Sequence, residues 1–159
     1  MRVFISALFA VAITTGAGAQ QYAASDYRVC PAAQTEKGRR VVEEACGSIN
    51  PPDFTEISIQ SLPDLKMTEA KRDTFRQTVA DYGVCITRFI NGYRRPGADA
   101  TATAPDEAAC AHAWAEDQVT QAVIAYGRAC IDFSNRSVTD GSIEPWTGAC
   151  YPAAQPGQG

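Results

Sequence analysis

The sequence predicts a mainly α fold, an antiparallel helical hairpin over about residues 68–93 and 104–133, wrapped by disulfide-tethered N- and C-terminal segments. Three observations carry that expectation: two long apolar stripes at helical spacing, a Pro- and Gly-rich break between them, and six cysteines spread through the chain. A length of 159 residues with 45% hydrophobic and 20% charged residues fits one globular domain and excludes a collagenous, coiled-coil or wholly disordered chain.

Residues 1–19 read as a secretory signal peptide. Arg2 supplies the basic start, Val3 to Ile13 is apolar apart from Ser6, and Ala17-Gly18-Ala19 forms an A-x-A cleavage site. The apolar run is shorter than the roughly 20 residues that span a bilayer, and no later stretch matches that length without charges, so no membrane span is expected. The expected organisation is a signal peptide over 1–19, one disulfide-stapled helical domain over 20–152, and a disordered tail over 153–159.

Thr35 to Ala45 reads as a short helix stopped by Gly47, with Val41, Val42 and Ala45 on one side. Pro51-Pro52 breaks the chain. Residues 54–60, with Ile57 and Ile59 two apart, read as a short strand or an extended strap across the hairpin. In the first long helix Phe75, Val79, Tyr82, Ile86, Phe89 and Tyr93 alternate spacings of four and three, forming one stripe; Thr68 is the expected N-cap and Asn91-Gly92 the stop. Residues 94–102, rich in Gly, Pro, Ala and Thr, read as a mobile loop.

Thr103-Ala104-Pro105-Asp106 resembles a capping box. The second long helix follows, with Ala115, Val119, Ala122, Tyr126, Ala129 and Phe133 on its stripe. The Tyr-Gly pairs at 82–83 and 126–127 do not establish an internal repeat, because their cysteines stand one residue out of register. Each Gly is expected to permit a close approach beside a buried Tyr. Beyond Ser137 an irregular arm is expected, tethered through Cys150 and anchored by Trp146.

Cys30, Cys46, Cys85, Cys110, Cys130 and Cys150 all lie outside the leader, and an even number behind an export signal predicts three disulfides. The nearest two are sixteen positions apart, which excludes C-x-x-C redox, haem-attachment and paired zinc-ligand motifs. With the hairpin turn centred near Asp99, residues at equal height have numbers summing to about 198, and Cys85 is expected to pair with Cys110, leaving Cys130 for a terminal segment.

Loss of the leader removes Arg2 alone. That leaves 13 Lys and Arg against 18 Asp and Glu, a formal charge of −5. Such a balance argues against a nucleic-acid partner, whose phosphates need clustered cations. The densest basic spot, Arg88, Arg94 and Arg95, is expected at a helix end, offsetting the macrodipole. The chain's 27 Ala, and 11 Arg against 3 Lys, match exported proteins of GC-rich bacteria, which makes the periplasm or exterior the expected location. In a secreted eukaryotic protein, Asn135-Arg136-Ser137 would instead be a glycosylation acceptor.

His112 is the only histidine, so any Ser-His or Cys-His hydrolase mechanism would depend on it. No G-x-S-x-G, H-E-x-x-H, Walker or EF-hand pattern accompanies it. His112 and Glu116 share a helix face, but two groups do not complete a metal site; a surface His–Glu contact is expected, and no cofactor or metal. Trp114, Trp146, Arg94 and Arg95 form the candidate contact surface. The sequence thus points to an exported, non-enzymatic binding or structural protein of the envelope or extracellular space, with a protein or envelope component as partner. A small exported carboxylate-dependent hydrolase is the alternative.

Overall fold

The computed structural model describes residues 30–54, 57–99 and 101–152. The proposed signal peptide and the C-terminal tail from 153 lie outside them. Among the described residues there are three helices and no strand: α1 (Ala32–Cys46), α2 (Leu62–Gly92) and α3 (Ala104–Thr139). The predicted hairpin is α2 with α3, and α1 packs across both.

α1 starts three residues before the predicted helix and ends as expected at Gly47. There the backbone turns to φ +75°, a conformation that favours glycine, and the Gly47 N–H closes on the Glu43 carbonyl. Residues 57–60 form the extended strap rather than a strand, with Phe54 and Ile59 buried against the hairpin.

α2 begins six residues before the predicted N-cap. Ser61-Leu62-Pro63-Asp64 is a capping box: Ser61 Oγ accepts from the Asp64 N–H, and Asp64 Oδ2 accepts from the Ser61 N–H at 2.9 Å. Thr68 is therefore interior to the helix, its hydroxyl donating to the Asp64 carbonyl at 2.8 Å. The capping expected at Thr103 is absent. Its side chain makes no backbone cap bond and instead donates to Glu107 Oε1 at 3.2 Å.

Residues 93–99 and 101–102 fold into successive turns. Gly97 sits at φ +85°, and Asp99 Oδ1 accepts from both the N–H and the hydroxyl of Thr101, which pulls the Asp99 carboxyl below its usual range. Arg94 and Arg95 lie in this connection rather than in the last turn of α2, so the dipole role expected of them is not realised. α3 continues six residues beyond Phe133, to Thr139; Arg136 in its last turn reaches back to hydrogen-bond the Ile59 carbonyl of the strap. Ser137 is buried inside this helix, donating to the Ser134 carbonyl, so the Asn-Arg-Ser triplet stands on a helix rather than in a loop.

Three disulfides join Cys30 to Cys110, Cys46 to Cys85 and Cys130 to Cys150. The predicted Cys85–Cys110 bridge is not formed, although the predicted register is right. A Cβ added to Gly83 would lie 2.4 Å from His112 Nε2, and the Arg72 guanidinium lies 4.2 Å from the Tyr126 ring; both pairs sum to within three of 198. The error is in azimuth. Gly83 and His112 occupy the seam between α2 and α3. Cys85 and Cys110 each stand two residues away, about 200° round their helices, and so point away from the seam, with Cys110 buried against Cys30. α1 spans the gap: its 15 residues, about 22 Å long, run from the bridge at Cys110 to the bridge at Cys85, so it lies across the hairpin.

Gly38 makes that crossing possible, since a Cβ there would lie 1.9 Å from the Glu107 carbonyl oxygen. The core has two parts. Val42, Ile49, Phe54, Phe75, Val79, Tyr82 and Ile86 meet the Ala-rich face of α3 beneath α1, while Ile59, Leu62 and Leu65 meet Tyr126, Cys130 and Phe133 near the C-terminal arm.

Candidate functional site

The residues singled out from the sequence occupy separate places. Trp114 is half-buried against the first core part, with the Arg39 guanidinium 4.2 Å above its ring; α1 covers the face that would stack on a ligand. Trp146 packs on the second core part and its indole N–H, although buried, has no hydrogen-bond partner among the described residues. Arg94 and Arg95 are exposed beyond α2, and Arg94 reaches Asn91 Oδ1 at 3.4 Å. His112 is half-exposed with Nε2 3.3 Å from Glu116 Oε1, the predicted helix-face contact. Among the described residues no group of three or more His, Cys, Asp or Glu side chains is placed to hold a metal ion.

Among the described residues the buried charge is Arg72, which sequence reasoning passed over. It is 3% exposed and lies on the stripe Leu65, Arg72, Val79 and Ile86, every seventh residue, all buried. Asp73 accepts from its Nε at 2.9 Å and its Nη2 at 3.0 Å, Glu69 stands 3.5 Å from Nη2, and the Tyr126 ring lies beneath the guanidinium. Burial, and then the neighbouring Glu69 carboxylate, push the Tyr126 phenol up to about 12; its hydroxyl nevertheless finds no partner in good hydrogen-bonding geometry. The spacing of seven was the signal in the sequence. The flanking charges of Lys71-Arg72-Asp73 concealed it.

One accessible feature among the described residues is a trough along α3. One depression of about 490 Å3 lies between strap residues 57–60 and Ala125, Arg128, Ala129, Asp132 and Arg136 of α3. A second, of about 500 Å3, lies between residues 51–54 and Gln118, Gln121, Ala122 and Ala125. They share Phe54 and Ala125, and together they follow α3 from Gln118 to Arg136, about 27 Å at 1.5 Å per residue.

Along its α3 side the trough presents half-buried Ala125 and Ala129, whose methyl groups allow another backbone to approach closely, with buried Ala122 beneath. Polar side chains stand beside them: Gln118, Gln121, Gln60, Arg128 and Asp132. Gln121 Nε2 donates to Asp117 and Gln60 Nε2 to Ser58, which fixes these amides and leaves their oxygens as acceptors. The local fold follows from the sequence. Pro51-Pro52 keeps the strap extended, and buried Phe54 and Ile59 fix it to the hairpin. Compared with protein-family models, with curated proteins and with solved structures, this chain matched nothing.

Proposed function

We propose that this is an exported, non-enzymatic binding protein that holds an extended polypeptide segment in the trough along α3. The observation that carries the reading is the trough itself. About 27 Å accommodates roughly eight residues at 3.3 Å each, its alanines admit a peptide backbone, and its amides, Arg128 and Asp132 supply both donors and acceptors. Export through the proposed signal peptide, to a periplasm or exterior, is supported by three disulfides, which persist in oxidising compartments, and by the absence among the described residues of a helix long and apolar enough to cross a membrane.

Hydrolysis by paired carboxylates calls for one carboxyl held protonated. Among the described residues the displaced carboxyls, Asp64, Asp99 and Asp140, all move downward, each held ionised first by a neighbouring Ser or Thr hydroxyl.

The test is selection of a random peptide library on the oxidised protein. Enriched peptides are expected to bind the wild type and Ala113→Trp, an exposed substitution elsewhere on α3, and to bind Ala125→Trp at least about tenfold more weakly because the indole fills the trough. Enriched peptides indifferent to Ala125→Trp, or no enrichment, overturn the reading.

A further inference from the structure

α3 carries a second uncovered face. Ile124, Ile131 and Val138 are 40%, 43% and 81% exposed, and they stand seven residues apart. Residues seven apart drift only about 20° round a helix, so the three make one stripe about 21 Å long, and it lies about 120° round α3 from Ala125 in the trough. Tyr151, which seats its ring on Gly127, adds a fourth exposed apolar side chain next to it. These are four of the six large hydrophobics exposed among the described residues, three in the C-terminal half of α3 and the fourth on the arm beside it.

The stripe is palindromic. A two-fold axis beside Ile131 sets Ile131 against its own copy and places Ile124 of each copy opposite Val138 of the other, because both stand seven residues from the centre. The charges follow the same symmetry. Arg128 precedes Ile131 by three residues and Asp132 follows it by one, and both lie on the same flank of the stripe. Although four apart on the helix, neither has an ion pair among the described residues within 4.0 Å. The two-fold brings Asp132 of the second copy to within two residues, about 3 Å along the axis, of Arg128, and it does so twice.

We propose that a second copy of this chain docks antiparallel on this face, α3 against α3, with Ile131 at the axis and reciprocal Arg128–Asp132 pairs beside it. One stripe on one helix is small beside a standard interface, which makes the dimer reversible. Sedimentation velocity of the oxidised protein from micromolar to millimolar concentration tests this. A monomer–dimer equilibrium is expected. Ile131→Glu is expected to abolish it by placing two carboxylates at the axis, and Arg128→Asp or Asp132→Arg to weaken it at least about tenfold, with recovery in the double charge swap. Ile131 is exposed, so an unchanged helical spectrum and melting temperature confirm that each variant is folded. A monomer at every concentration overturns the proposal. So does a dimer indifferent to Ile131→Glu, or charge variants that the double swap does not rescue.

Discussion

Three glycines that look alike in the sequence have different neighbours, and their substitution effects should differ accordingly. At Gly38 the obstacle is the Glu107 backbone, 1.9 Å from an added Cβ, which cannot move without separating α1 from α3. Gly38→Ala is expected to lower stability by about 2–3 kcal/mol, measured by urea unfolding, despite alanine's better helix propensity. At Gly83 the obstacle is the half-exposed imidazole of His112, free to swing toward solvent. Here strain and the propensity gain of about 1 kcal/mol nearly cancel, so Gly83→Ala should be close to neutral. His112→Ala leaves the backbone untouched and removes the obstacle, so the double variant should be more stable than Gly83→Ala alone by calorimetry. A large loss in Gly83→Ala, unrelieved by His112→Ala, would show that the seam does not tolerate a methyl group. At Gly127 the Tyr151 ring takes the space, so the close approach expected beside Tyr126 belongs to the C-terminal arm and not to a helix.

At the scale of elements, periodicity made the two long helices legible and failed where direction round a helix decides. The stripe from Phe75 to Tyr93 located α2, yet its extension through Arg72 to Leu65 went unread because a charged residue occupies an apolar position. The start of α2 was equally legible, in Ser61-Leu62-Pro63-Asp64, but Thr68 offered a competing cap closer to the stripe. Ser61→Ala should cost about 1 kcal/mol and fray the turn between Leu62 and Leu65, seen as faster amide exchange there. Asp64 has its carboxyl held below the ordinary value, first by Ser61, so its contribution is present above that value and disappears as acid carries the pH down through the folded pKa. The wild type should therefore lose protection in this turn on acidification, whereas Asp64→Asn should show a flatter acid response. Disulfide pairing was illegible for a different reason from Arg72. Equal height along the hairpin is readable from sequence numbers, but the side of the helix that faces a third element is not, and α1 was too weakly patterned to be placed across the hairpin. The trough was hidden too, since it exists only between the strap and α3.

In the whole molecule, the hairpin is held by three bridges that close loops of different size, and by a buried layer in which tyrosines carry the pH response. The sequence separations are 80, 39 and 20 for the bridges at Cys30, Cys46 and Cys130. Because the Cys46–Cys85 bridge is nested inside the Cys30–Cys110 loop, removing each singly from the fully bridged protein frees effective loops of about 41, 20 and 20 residues, to which chain entropy assigns about 3.9, 3.3 and 3.3 kcal/mol. Paired Cys→Ser variants should lower the unfolding free energy most at Cys30–Cys110 and by similar, smaller amounts at the other two bridges, and peptide mapping without reductant should recover the same three pairs; a peptide joining Cys85 to Cys110 would exclude this arrangement of α1. The alkaline limit has a separate origin. Burial raises both Tyr82 and Tyr126, the latter to about 12 against 10.0 for a free phenol. A raised tyrosine leaves stability whole below the unfolded value, and that stability falls as pH climbs from there through the folded value, because the unfolded phenol ionises first. Tyr126 is the larger contributor, since its buried hydroxyl also faces the Glu69 and Asp73 carboxylates beside buried Arg72. Between about pH 10 and 12, therefore, phenolate absorbance and loss of helix should rise together for the buried tyrosines. Tyr126→Phe removes the ionisable oxygen and keeps the ring under Arg72, so it should carry the alkaline midpoint upward. If the midpoint stays unchanged and helix is lost before any phenolate appears, Tyr126 is not what sets the alkaline limit.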